Sequence, residues 1–309
     1  MAKRTQNIVA ESRIALPTTA VYALIVWLMA GLIGSNLWIQ LCCTTLATYL
    51  MVELNNQNAL IRIYSRMVSC AFMVLSCAGC FLFPSMKAAL GLVCFTAFLL
   101  LLAKTYQNRR SSGTTLCAFA MLGLASLIHV HVLFFVPLFW GFMIFKIQTF
   151  SLRTLTASFL GILLPYWFIA PYLAWTGDFT PLLEHLDQLG WGTFSYDYST
   201  MSSGKLLFYA LLLIVIITGT VHYLRTRYKD KIRTRMLFDC FLITAWVAAI
   251  LVVLQPQHTT LLIPMLIACV STLIGHFLAL TNTRWTNIGF WAITTLTVFI
   301  TVYNLWTLS

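Results

Sequence analysis

Charge is what this chain has least of. Only 9% of its 309 residues are Asp, Glu, Lys or Arg, against about 25% in a soluble domain. Water therefore cannot solvate most of its surface. Acids are scarcest, with eight Asp and Glu in all. Coupled pumps and transporters usually carry ionisable groups inside their spans. Here Glu53 and Asp239 come nearest, at span ends, which leaves the transport class only a passive form. Asp239 stands four residues after Arg235, the spacing of a local helical pair. The nine cysteines all fall in apolar segments, and no spacing matches a zinc site. Cys77 and Cys80, a C-x-x-C inside one such segment, read as small helix-packing residues. No internal repeat divides the chain into the paired halves common in secondary transporters.

Long apolar runs are what the sequence does have. Hydrophobic residues make up 60% of it, and a spanning helix needs about 20 of them. Runs over 15–34, 37–52, 67–83, 88–103, 155–172, 206–223, 236–253, 261–280 and 288–305 read as spans. The stretch 114–145 is too long for one helix and has basic residues at both flanks, Arg109 and Arg110 before it and Lys146 and Arg153 after. The chain must return to the side it left, so this is a helical hairpin with short arms, turning at IHVHV just before Val136-Pro137. The expected fold is all-α: a polytopic transmembrane helical bundle of about eleven spans, forming one membrane-embedded domain over 1–309. With a cytoplasmic N-terminus, all the Lys and Arg residues except Lys87 and Lys205 lie inside, the bias expected of a multi-pass protein of the cell inner membrane. The basic start, MAKRTQNIVAESR, precedes a run too long for a signal peptide and reads as the flank of an uncleaved first span. A net charge of +11 could suggest nucleic acid. The cations sit in short loops beside apolar runs, so topology explains them and no nucleic-acid partner is expected. The expected partners are the bilayer and, for the cation-rich turn 225–235, anionic lipid headgroups.

Chemistry has one obvious place to sit. The only long loop, 175–204, lies on the outer side and is acidic: no Lys or Arg occurs from Thr154 to Gly204, while Asp178, Glu184, Asp187 and Asp197 fall within it. Its TPLLEHLDQL segment reads as a short interfacial helix, with Thr180 as N-cap and Pro181 in the first position. Leu182, Leu183, Leu186 and Leu189 would form its apolar face, and Glu184 and Asp187 share another. Trp191, Tyr196 and Tyr198 flank the acids. Such a group suits a sugar or a divalent cation, with Glu184 and Asp187 as general base or ligand. The same residues would also serve as a solvated loop that enforces orientation. His129 and His131 at the hairpin tip, His185 in the long loop and His258 in the QPQH turn map to the same side and, converging with Asp or Glu, could bind a metal; Lys205, a candidate phosphate contact, lies there too. His222 and His276 fall near inner span ends and carry no assignment.

The segment 109–177, with MLGLASLIHVHVLFFVP and GILLPYWF between its basic turns and outer loop, resembles the C-type integral membrane glycosyltransferases and related polysaccharide-assembly proteins. The stretch QPQHTTLLIPMLIA is similar to the polar turn before a late span in those enzymes. The overall pattern also resembles an uncharacterised family of bacterial inner-membrane proteins. The likeness implies envelope polysaccharide or glycolipid assembly, an outward site and a lipid-linked sugar. Those enzymes hold their catalytic carboxylate in the first outer loop. Here that loop is Gly34-Ser35-Asn36, without an acid, so that residue is not carried over. A non-catalytic scaffold of an envelope or secretion complex is the competing expectation, and a passive transporter the third. An enzyme predicts that the hairpin tip, the QPQH turn and the acidic loop meet; a scaffold predicts that they stay apart.

Overall fold

A computed structural model describes residues 4–189 and 201–308. All of its regular structure is helical. In chain order the helices are α1 (Thr5–Glu11), α2 (Ala15–Met29), α3 (Trp38–Asn58), α4 (Met67–Ala78), α5 (Met86–Lys104), α6 (Ser112–Ile128), α7 (Val136–Phe145), α8 (Leu152–Thr176), α9 (Thr180–Asp187), α10 (Ser203–Thr226), α11 (Ile232–Leu254), α12 (Thr259–Leu280) and α13 (Arg284–Leu308). Hydrocarbon offers the backbone no hydrogen-bond partners, so apolar runs must satisfy themselves as helices, and every apolar run of the sequence holds one. Among the described residues six helices are long and apolar enough to cross a membrane, or seven if α1 and α2 count as one span bent by 92°. By that measure the chain is a membrane protein. The helices α4, α6 and α7 are apolar but shorter.

The bundle is built around α12. Every residue from Leu261 to Ala279 is buried, and α4, α5, α10 and α11 all pack against it. A helix apolar on all sides has no solvated face to offer, so it belongs in the centre. The least buried of the long apolar helices are α8 and α13; α13 has Trp285 and Trp306 exposed near its two ends, where amphipathic rings suit a membrane interface. Between α6 and α8 the backbones nearly touch. A Cβ on Gly161 would sit 2.6 Å from the Leu116 carbonyl oxygen, and one on Gly123 would sit 2.7 Å from that of Ile162. Small residues at such a crossing let two helices pack without a hydrophobic driving force between them.

Contacts between turns sort into two sets. At one end the basic turns meet. Arg62 pairs with Asp230 at 2.9 Å, Arg233 donates to Asn58 Oδ1 at 2.7 Å and to the Ala103 carbonyl at 3.2 Å, and Ser151 Oγ donates to the Arg109 carbonyl at 3.1 Å. The helix α1, which the sequence reading did not foresee, closes this end: Gln6 Nε2 donates to the Leu278 carbonyl at 2.8 Å. At the other end Trp27 stacks on Phe83 with ring centroids 3.7 Å apart, and Asn304 donates to the Ala78 carbonyl at 2.8 Å.

Two local expectations need correction. Asp239 does not pair with Arg235. It lies on the buried face of α11, where Lys146 Nζ reaches it at 2.6 Å and the Tyr223 hydroxyl donates to it at 2.8 Å. Nor is Thr180 the N-cap of α9: Phe179 occupies that position. The Asp178 carboxylate instead accepts from the Thr180 amide at 2.9 Å and from its hydroxyl. These bonds favour the charged form and hold the Asp178 carboxyl below the usual range.

Candidate functional site

The hairpin 114–145 turns where the sequence breaks its apolar run. The helix α6 stops at Ile128 because His129 takes an extended conformation, φ −141° and ψ 98°. A 3-10 turn over Val130–Phe135 leads to α7, with Pro137 in its first turn, where a missing N–H costs nothing. That turn sets His129 and His131 at the tip.

Three separate elements meet there. The His131 ring lies 3.7 Å, centroid to centroid, from that of His258, which sits in the 3-10 turn Pro256–His258 before α12. The main chain of Gln188, just beyond α9, also lies beside the His131 ring and favours its charged form. A direct tether holds α9: His185 Nε2 lies 2.9 Å from the Ser126 carbonyl oxygen. The Ser126 hydroxyl in turn meets Tyr166 OH at 2.9 Å, bringing α8 into the group. Gln257 Nε2 and His258 Nε2 are 3.2 Å apart.

His129 differs from the others. Its Nε2 is buried and has no hydrogen-bond partner, an unusual state for a buried polar atom. It lies in the turn outside the helices. Burial, then the charge of nearby Lys87, then His131 and His185, push its pKa down to about 4. Neutral imidazole is therefore its form at ordinary pH, able to accept a proton or a hydrogen bond. Of the two cations expected outside, Lys87 stands at the start of α5 and its charge is felt at His129. Lys205, the expected phosphate contact, lies in the first turn of α10 at a point tied to α13, where Ser203 Oγ meets Tyr303 OH at 3.0 Å.

The carboxylates take a different position. Leu182 and His185 on α9 and Leu189 just after it are half-buried, while Glu184 and Asp187 are exposed, as are Leu183 and Leu186. The acids thus border the histidine group from its solvent side. Trp191, Tyr196 and Tyr198, the aromatics expected around the acids, lie outside the described residues. Among the described residues no three His, Cys, Asp or Glu side chains are grouped to hold a metal ion.

Sequence reasoning named His129, His131 and His258, placed His185 and Lys87 on the same side without giving either a role, and missed Ser126 and Tyr166. For His185 a further signal existed: it shares one face with the half-buried Leu182 and Leu189, three and four residues away.

No protein-family model, no curated protein and no solved structure matches this chain.

Proposed function

We propose that this is a protein of the bacterial cell inner membrane, with about eleven passes and a cytoplasmic N-terminus, that acts in envelope polysaccharide or glycolipid assembly through an outward-facing site. The observation that carries the reading is the position of His131, against His258 and the Gln188 main chain together. A scaffold has no need for the hairpin tip, the turn before α12 and the short helix α9 to meet; a site that must hold one substrate does. The resemblance of 109–177 to membrane glycosyltransferases points the same way.

The chemistry would be glycosyl transfer from a lipid-linked sugar. A neutral imidazole, His129 or His131, accepts the proton of the acceptor hydroxyl as that oxygen bonds to the sugar carbon. The carrier phosphate leaves with the bonding pair and is met by the Lys87 ammonium. Glu184 and Asp187 sit where they would bind sugar hydroxyls or a divalent cation at the entrance.

The test is the profile of lipid-linked and surface glycans in a deletion strain. Wild-type protein and the Glu184→Gln/Asp187→Asn double variant serve as reference points. The His131→Gln/His258→Gln double variant should reach normal levels in the membrane yet restore the profile at least about tenfold less well, the scale of losing an acid–base group. An unaltered profile in the deletion strain, or full rescue by the histidine variant, would remove the reading.

A further inference from the structure

The end of the bundle opposite the histidines holds a cleft of about 740 Å³, lined by Gln107, Arg109, Arg110, Ile144, Gln148 and Phe150. It lies between two turns, one joining α5 to α6 and the other α7 to α8. Those turns are zipped together. Gln107 N–H donates to the Ile147 carbonyl at 2.8 Å, the Thr149 hydroxyl donates to the Asn108 carbonyl at 2.9 Å, and Ser151 Oγ pins the Arg109 carbonyl. The Arg110 amide donates to Asn108 Oδ1 at 3.0 Å. Gln107 and Gln148, with φ of 55° and 57°, shape the matching bends. The frame is rigid, and it presents two guanidinium groups on one wall.

No acid lines this cleft, and among the described residues no ion pair involves Arg109 or Arg110. The carboxylate that pairs with Lys146 in the turn 146–150, Asp239, is also bonded to Tyr223. The cation-rich turn 225–235, where headgroup binding was expected, is less free than its composition implied. Its Arg233 is spent on Asn58, on the Ala103 carbonyl and on the face of Tyr106, and its Asp230 is buried. The other wall of the cleft is apolar: Ile144 and Phe150 are 44% and 38% exposed, which water alone would not favour.

We infer that this cleft binds the phosphate of an anionic membrane lipid, with Arg109 and Arg110 on the phosphate and the lipid chains along Ile144 and Phe150. Guanidinium forks match phosphate oxygens two at a time. An occupant with a phosphate head and apolar chains covers both walls; a soluble phosphate covers only one. The inference is independent of the reaction proposed at the opposite end and of which face is cytoplasmic.

The experiment is native mass spectrometry of the full chain released from vesicles of phosphatidylglycerol mixed with phosphatidylcholine. Arg109→Gln/Arg110→Gln should lower phosphatidylglycerol retention about tenfold or more, as expected for two lost contacts, while Arg109→Lys/Arg110→Lys should lose less. Ile144→Ser/Phe150→Ser should lower retention with both arginines in place. All these side chains are exposed, so the variants should fold. Lys229→Gln/Lys231→Gln is the comparison. Retention unchanged in the arginine variant, or reduced equally in the lysine comparison, overturns the proposal. Displacement of the lipid by millimolar inorganic phosphate alone would assign the cleft to a soluble phosphate and overturn it as well.

Discussion

The two ends of α12 treat histidine in opposite ways. At its start His258 stacks on His131, and its near neighbours are imidazoles, an amide and main-chain groups. Near its other end His276, fully buried, sits 3.2 Å from Asp230 Oδ2, and Arg62 holds the other oxygen at 2.9 Å. Asp239, Lys146 and Tyr223 form a second buried group on the same side. One end pairs its buried carboxylates with cations; the other keeps imidazoles without ion partners, and a buried ring nitrogen lacks a hydrogen-bond partner at each, His276 Nδ1 and His129 Nε2. Paired charges buried together lock a turn in place, because separating them strands an ion in a poor solvent. Uncharged imidazoles with spare bonding capacity cost less to bury and remain available to a ligand. The contrast suits the basic end to a structural clasp and the opposite end to the reaction proposed above.

The comparison breaks most completely if the two ends are not on opposite sides of a membrane. A reporter inserted at Lys229 should lie in the cytoplasm and one fused after Ser309 outside it. The outcome is all or none, and finding both on the same side would mean that an arm of the 114–145 hairpin or a terminal helix does not cross.

Next in size is the clasp itself. Asp230→Ala removes the shared partner of Arg62 and His276 from a site where the carboxylate has no exposure. Arg62 keeps some access to water, whereas His276 is left buried without its partner, at a cost of about 1–3 kcal/mol. Thermal unfolding in detergent should show this variant clearly below wild type. Lys229→Ala, one residue away and exposed, should fall within about 0.5 kcal/mol. Comparable losses for the two would mean that the Asp230 contacts do not hold the basic turns together.

Much of the architecture was legible because hydropathy encodes it. The apolar runs became helices, and the 114–145 stretch bent at His129 where IHVHV interrupts it. What hydropathy cannot encode is rotation. Both α11 and α12 are apolar nearly all round, so nothing in their sequence says which face meets which neighbour. Asp239 therefore looked free to pair locally with Arg235, although it faces Lys146, a residue 93 positions away. His276 and Asp230, 46 apart, were invisible as a pair for the same reason. The convergence of His131 with His258 was half visible: topology placed both on one side, but only packing puts their rings in contact. The exposed acids of α9 drew attention because charge is rare in this chain, and rarity marked the border of the histidine group rather than its centre. The helix α1 left no signal, since TQNIVAE has too little apolar surface to register as a span.

The smallest expected effect sharpens the histidine end. In the folded chain burial and Lys87 hold His129 down at about 4, whereas an unfolded histidine titrates near 6.5. Between those values the unfolded state binds more protons, so acid favours opening. The contribution of neutral His129 is fully present above about pH 6.5 and is lost as pH falls toward 4. Because the ring is only half-buried, solvent screens the effect, and it should appear as local loosening rather than global unfolding. The α9 helix is the natural place to read it, since its contacts at His131 and His185 adjoin His129. Hydrogen exchange of 182–189, corrected for the intrinsic pH dependence, should speed up a few-fold between pH 6.5 and pH 4.5. In His129→Gln, which keeps a polar group but cannot titrate in this range, part of that pH dependence should vanish. If the exchange of α9 responds to acid identically in both proteins, the protonation of His129 is not coupled to the docking of α9, and the response of this end lies with other groups, His131 and His258, which burial also holds low.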